Sequence, residues 1–243
     1  MQLPHSGLEV QFRQLDGHAE AMLADLPPDR PMAAGIAALR VLATGAAGAP
    51  VAADELPLTD YECALAALRQ DQIGDTFTTA TECPHCGERM ELSFSIETLL
   101  DDVLQAARPA SRRQLPGAPD FRLPTAGDAA ACEGDPNGPA RLLAACIAQG
   151  LPPARRRKAE AALERGLPLL SRPIEAPCAA CGHSINAHFH LPGFVVTELA
   201  WRTRSVFDEV HLLARGYGWS ESQILDLPRD RRRRYAALLR EGV

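Results

Sequence analysis

A chain of 243 residues with 46% apolar and 23% charged residues has the balance of a globular protein, with enough chain for one generous core or two small ones. Its net charge of −6 argues against a dominant nucleic-acid role and leaves room only for a local basic patch. The start (Met1–Phe12) lacks the charged and apolar runs of a secretory signal, the most apolar window (32–53) is cut by Arg40 and glycines, and the cysteines are odd in number. A reducing cytoplasm is therefore expected, with no membrane span and no disulfide framework.

In chain order, a weak helical stretch from His18 to Leu26 closes at Pro27-Pro28, and a helix is predicted from Pro31 to Thr44, followed by a loop of small residues to Pro50. Thr59-x-x-Glu62 reads as a capping box opening a helix with Tyr61, Leu65 and Leu68 on its apolar side. Two short strands follow around a Cys-x-x-Cys turn, then a helix from Glu97 to Ala107. Pro109 to Pro119 reads as a linker or exposed loop. Thr125 caps a short helix to Cys132, and Pro139 is read as the first residue of one that buries Leu142, Leu143, Cys146 and Ile147 and ends at Gly150.

A helix over Pro153 to Arg165 carries Arg155-Arg156-Arg157-Lys158, expected to be a solvated face since nothing aromatic lies beside it. After a second Cys-x-x-Cys region, Val195, Leu199, Val206, Val210 and Leu213 recur at helical spacing and predict one long helix ending at Gly216. Tyr217-Gly218-Trp219 makes a break that either closes the local core or anchors a partner. Ser220-x-x-Gln223 is a second capping box, and a last helix after Pro228 turns Tyr235, Leu238 and Leu239 inward. Arg231 to Arg234 on that helix is read as solvated rather than as a phosphate-binding stripe.

The chemistry lies in Cys83-Pro-His-Cys86-Gly87 and Cys178-Ala-Ala-Cys181-Gly182. Each pair supplies half of a tetrahedral thiolate site, so Cys83, Cys86, Cys178 and Cys181 are the expected ligands of one structural Zn2+. A redox dithiol would open a helix, whereas strand-like residues follow both pairs. Aligning the two knuckles lays Met90, Leu92, Phe94 and Ile96 on Ile185, Ala187, Phe189 and Leu191. The alternation describes half-buried strands, and Phe77–Thr81 and Pro173–Ala176 supply their partners. The object expected is a split zinc ribbon of two hairpins around one ion.

His188 and His190 share a strand face and are read as solvated, while His85 and His183 can replace a missing thiolate where none is missing. Cys63, Cys132 and Cys146 have no ligand spacing, and two of them fall in apolar helical patterns. Four thiolates close the metal's coordination. With no phosphate loop, nucleophile elbow or zincin motif in the chain, no enzyme and no small-molecule substrate are expected.

Four stretches resemble a family of contractile-tail baseplate assembly proteins. They are Leu58–Arg69 through Cys83–Gly87; Phe121–Asp128 through Leu142–Cys146; the second knuckle; and Glu209–Leu225 with Arg232–Tyr235. That family is related to the baseplate-hub and chaperone proteins of T-even-type phages, and occurs in phage tails and phage-tail-like injection systems. The likeness spans residues 58 to 240 and maps only the four cysteines, as zinc ligands. It implies a non-catalytic role in building or completing a baseplate, with hub, spike or other tail proteins as partners and a place in the cytoplasm or in the particle.

The competing class is a zinc-ribbon nucleic-acid-binding or transcription-associated protein, resting on the two arginine runs. The fold expected is mainly α with a small antiparallel β zinc ribbon. Its order is an N-terminal segment (1–50), a helix with the first ribbon half (51–108), a helical insert (109–171), the second half (172–193) and C-terminal helices (194–243).

Overall fold

The computed structural model describes residues 1–112 and 120–241. The chain begins with β1 (Gln11–Phe12), α1 (Gly17–Ala24), α2 (Pro31–Leu42) and β2 (Ala43–Thr44), then enters α3 (Leu58–Gln72). The first hairpin, β3 (Thr76–Glu82) and β4 (Arg89–Ser95), leads into α4 (Ile96–Arg112). The insert holds α5 (Ala126–Ala131), α6 (Gly138–Cys146) and α7 (Pro153–Arg165). The second hairpin is β5 (Arg172–Pro177) and β6 (Ser184–Phe189), and the chain closes with α8 (Leu191–Thr203), α9 (Val206–Tyr217), α10 (Glu221–Leu225) and α11 (Arg229–Arg240). The fold is mainly helical with small antiparallel sheets, as expected.

The centre is α3, on which every residue from Leu58 to Arg69 is buried. Its apolar side chains join those of α2 and α8 in the main core, and Asp60, Tyr61, Glu62 and Arg69 each bind a distant segment. Asp60 accepts from the amides of His5 and Ser6 at 2.8 and 2.7 Å. The Tyr61 hydroxyl donates to the Met32 carbonyl at 3.1 Å. Glu62 accepts from the amides of Leu170 and Ser171 at 2.7 and 3.0 Å. Burial pushes the Glu62 carboxyl up, and those amides pull it back.

The expected capping box at Thr59 and Glu62 is therefore not formed. The helix starts at Leu58 behind Pro57 with no side-chain cap, the Thr59 hydroxyl has no partner among the described residues, and Glu62 serves the chain leading into β5. Arg69 ends the series. It forms a two-pronged pair with Glu198 of α8 at 2.9 Å, donates to the carbonyls of Gly74 and Thr76, and lies over the Phe77 ring at 4.4 Å. The first hairpin is thereby tied to the core.

Several boundaries differ from expectation. The α2 helix stops at Leu42, because Ala43 turns extended and pairs with Phe12. The α4 helix runs past Pro109 to Arg112, and the remainder of the expected 109–119 loop lies outside the described residues. The α6 helix ends at Cys146 rather than Gly150, since Ile147 leaves it to bridge Phe121 and seal a small satellite core with Ala159 and Leu163.

The single long helix predicted to Gly216 is two. The Thr203 hydroxyl bonds back to the Leu199 carbonyl at 2.9 Å, and the chain turns at Arg204–Ser205 before α9. This break lets α8 pack on α1, α2 and α3 while α9 packs on α10 and α11. Thr125 with Asp128, and Ser220 with Gln223, form the capping boxes that the sequence indicates.

The basic run on α11 is not wholly solvated. Arg231, Arg233 and Arg234 are exposed, but Arg232 is fully buried. It pairs with Glu20 of α1 and, at 2.7 Å, with Glu209 of α9. Arg229 adds a 2.7 Å ion pair to Glu20. Helix α1, whose Glu20 lies 212 residues from Arg232, meets α9 and α11 at these charges. On the same helix Leu238 is exposed at 37%, against the expected inward face, while Tyr235 packs with Tyr217 and Trp219 at 5.8 and 5.3 Å between ring centres. The Tyr217–Trp219 corner thus closes a local cluster, although Tyr217 stays 39% exposed.

Candidate metal centre

The two hairpins repeat one plan. In the first, Thr76 to Glu82 pairs in order with Ser95 to Arg89. In the second, Arg172 to Pro177 pairs with Phe189 to Ser184. Each ladder ends at its knuckle. The Cys83 amide donates to the Glu88 carbonyl at 2.8 Å and the Gly87 amide to the Cys83 carbonyl at 2.9 Å. In the second knuckle Cys178 with His183, and Gly182 with Cys178, repeat both bonds at the same distances. Gly87 and Gly182 sit at φ 73° and 72°, left-handed conformations that a Cβ would strain.

The inner faces meet at two ends. At the base Phe77, Phe94, Phe189 and Phe194 pack ring to ring, with centroids between 4.9 and 5.8 Å apart. At the tip the four cysteines converge, and their sulfurs all lie within 4.8 Å of one another. Cys83 Sγ is 3.8 Å from Cys181 Sγ, and Cys86 Sγ is 3.7 Å from Cys178 Sγ. Those separations rule out disulfides, which need about 2.05 Å. A tetrahedron with metal–sulfur bonds of about 2.3 Å has edges of about 3.8 Å. The cluster therefore has the size to hold one metal ion.

Backbone dipoles favour ionised sulfurs. The Cys181 amide, helped by that of Ala180, faces Cys178 and draws its thiol down to about 7. The Glu88 amide acts likewise on Cys86, but the neighbouring sulfurs oppose it and push that thiol up to about 12. Four negative sulfurs at this spacing coexist only around a cation. Cys83 and Cys178 are buried and Cys86 and Cys181 exposed, so each hairpin contributes one inner and one outer ligand.

The histidines take other places. His85 and His183 stack at the tip, ring centres 5.2 Å apart and 17° from parallel, beside a sulfur set that is already complete. His188 is exposed, as expected. His190 is not a solvated strand residue: it caps α8, with Nδ1 accepting from the Gly193 amide at 3.2 Å, and burial lowers its pKa. Of the remaining cysteines, Cys63 and Cys146 are buried and Cys132 half-buried, all away from the cluster.

Sequence reasoning missed the junction of Glu20, Glu209 and Arg232. Its signal was present: Arg232 stands four residues before the buried Ala236 and so on the same face of α11. Among the described residues no helix is long and apolar enough to cross a membrane. No family model, curated protein or solved structure matches the chain.

Proposed function

We propose that the chain is a non-catalytic assembly factor or structural component of a contractile, phage-tail-like baseplate, with one Zn2+ pinning a split zinc ribbon. The observation that carries the assembly reading is the order of motifs from Leu58 to Tyr235, with the Glu209–Leu225 stretch the most specific. Zinc is supported by the donor set, since four soft sulfurs at tetrahedral spacing suit it better than oxygen-seeking ions. Bound there, it supplies folding energy and leaves no open position for water or substrate.

The chain's own residues do the rest. Arg69 and Glu62 fix the two hairpins to one helix, the phenylalanines close the base, and the thiolates bring the tips together. The product is a rigid platform suited to protein contacts. The rival nucleic-acid reading keeps the exposed run Arg155 to Lys158 and loses part of its second support, because Arg232 is spent on Glu20 and Glu209.

Affinity capture of the tagged chain from its own host, together with binding of arbitrary duplex DNA at physiological salt, separates the two. Recovery of sheath, tube, spike or wedge proteins with negligible DNA affinity is the result expected. Salt-dependent DNA binding without tail proteins would reverse the assignment.

A further inference from the structure

Each hairpin is a two-stranded sheet, so every one of its strands keeps one edge whose N–H and C=O groups have no ladder partner. The four edges are not alike. β4 turns Arg89 and Glu91 outward, and β5 carries Pro173, Glu175 and Pro177. Charges and prolines keep an edge from pairing, and a proline in a strand places its missing N–H on the unpaired side. β3 from Thr76 to Thr81, and the whole of β6, carry neither a proline, a carboxylate, a lysine nor an arginine. Their outward residues Thr78, Ala80, Asn186 and His188 are small or neutral in type and exposed.

The two unprotected edges meet at one place. A cavity of 330 Å³ lies between the hairpins, lined by three successive residues of β3 (Thr79–Thr81) and four of β6 (Asn186–Phe189), with Leu92 and Phe94 of β4 and Ile174 of β5 from the inner faces. Successive residues point to opposite faces of a strand, so a hollow touched by three in a row borders the strand's edge. Its floor is apolar, with Phe94, Phe189 and Phe194, and no carboxylate, lysine or arginine lines it among the described residues.

We propose that this cavity takes an extended, uncharged segment of a partner protein, added as a strand between β3 and β6. The segment's backbone pairs with both free edges, which a helix cannot do because its own groups are already satisfied. Alternate apolar side chains drop towards Phe94 and Phe189, and those between them face solvent. The uncharged lining matches an uncharged segment and offers nothing to a phosphate or an acidic tail. The inference deepens the assembly reading and rests on it for the partner's origin. The test below addresses the edges alone, whereas capture from the host addresses the reading.

The probe is a displayed library of random peptides of about six residues, the usual length of a strand, screened against the full zinc-loaded chain. The best binders are then synthesised with and without N-methylation of alternate amides. Proline-free sequences with apolar residues at every second position are expected, weakened roughly tenfold or more by N-methylation. Bound peptide should slow amide exchange in 76–82 and 184–189. The double variant Ala80→Lys, Asn186→Lys should lose binding, and Glu91→Lys on the opposite edge should keep it. Unchanged metal content and thermal midpoint show that the variants fold, and Ala80→Lys alone serves if the double variant does not.

Binders that ignore N-methylation or the lysine variant, or no enrichment at all, would overturn the proposal. So would a concentration-dependent dimer abolished by Ala80→Lys, since a second copy would then fill the cavity.

Discussion

The hairpin tips and the junction of α1, α9 and α11 solve the same problem with opposite electrostatics. At the tips, Cys83 and Cys86 meet Cys178 and Cys181 and gather only groups that become negative, so the join needs a cation from solution. At the junction, Glu20 and Glu209 are matched by Arg232 and Arg229, so the chain supplies both signs itself. With a metal as its pin, the first join is conditional on metal and pH. The second needs nothing from solution, at the cost of burying charges whose desolvation roughly cancels their attraction. A protein with both has one region that needs a partner from solution and one that carries its partners in the chain.

The largest expected effect separates them outright. Cys178→Ser, or chelation of the wild type, should remove the metal and unfold both hairpin tips, because the apparent binding energy of such sites, about 10–16 kcal/mol, is folding energy. Amide exchange should rise across 76–95 and 172–189 while α9–α11 stay protected. Acid should act on the same side, since protons compete with metal for thiolates, and metal should be lost progressively as the pH falls.

The reverse experiment is Arg232→Ala. It leaves Glu20 and Glu209 buried without their main partner and should destabilise by about 3–5 kcal/mol. Metal content should be unchanged, as measured by denaturant unfolding alongside metal analysis. Loss of zinc in that variant would show that the two regions are coupled.

Smaller effects sharpen the contrast at the central helix. Tyr61→Phe removes the hydroxyl that donates to the Met32 carbonyl and should cost about 1 kcal/mol. The carboxyl of Asp128 is held down to about 2, first by Arg122 and then, against burial, by the Thr125 amide. A depressed carboxyl stabilises the fold above its unfolded value near 4 and loses that contribution as the pH falls towards 2. Arg122→Ala should flatten that acid limb and leave metal affinity at neutral pH unchanged.

The four-cysteine cluster was legible because its signal is local and doubled. Two knuckles with glycine at the same position, followed by the same alternation, carry strand, turn and ligands together. Short helices with side-chain caps, such as those behind Thr125 and Ser220, were legible for the same reason. Tertiary use of polar residues was not. Glu62 has the spacing of a cap but is drawn to Leu170 and Ser171, 108 and 109 residues away. Arg232 lies in a run that looks solvated; its spacing to Ala236 sets it on the inner face of α11, but its partners on α1 and α9 are not local in sequence. The apolar periodicity across Val195–Leu213 is genuine, yet a break at Arg204–Ser205 divides it between two cores. A period describes which face is apolar and not which neighbour will cover it.

The claim that one metal joins the two hairpins is tested most directly by X-ray absorption at the zinc edge on the protein as purified. The account predicts one zinc per chain with four sulfur neighbours at about 2.3 Å. A nitrogen or oxygen in the first sphere, or a fully folded hairpin pair with no metal bound, would contradict it.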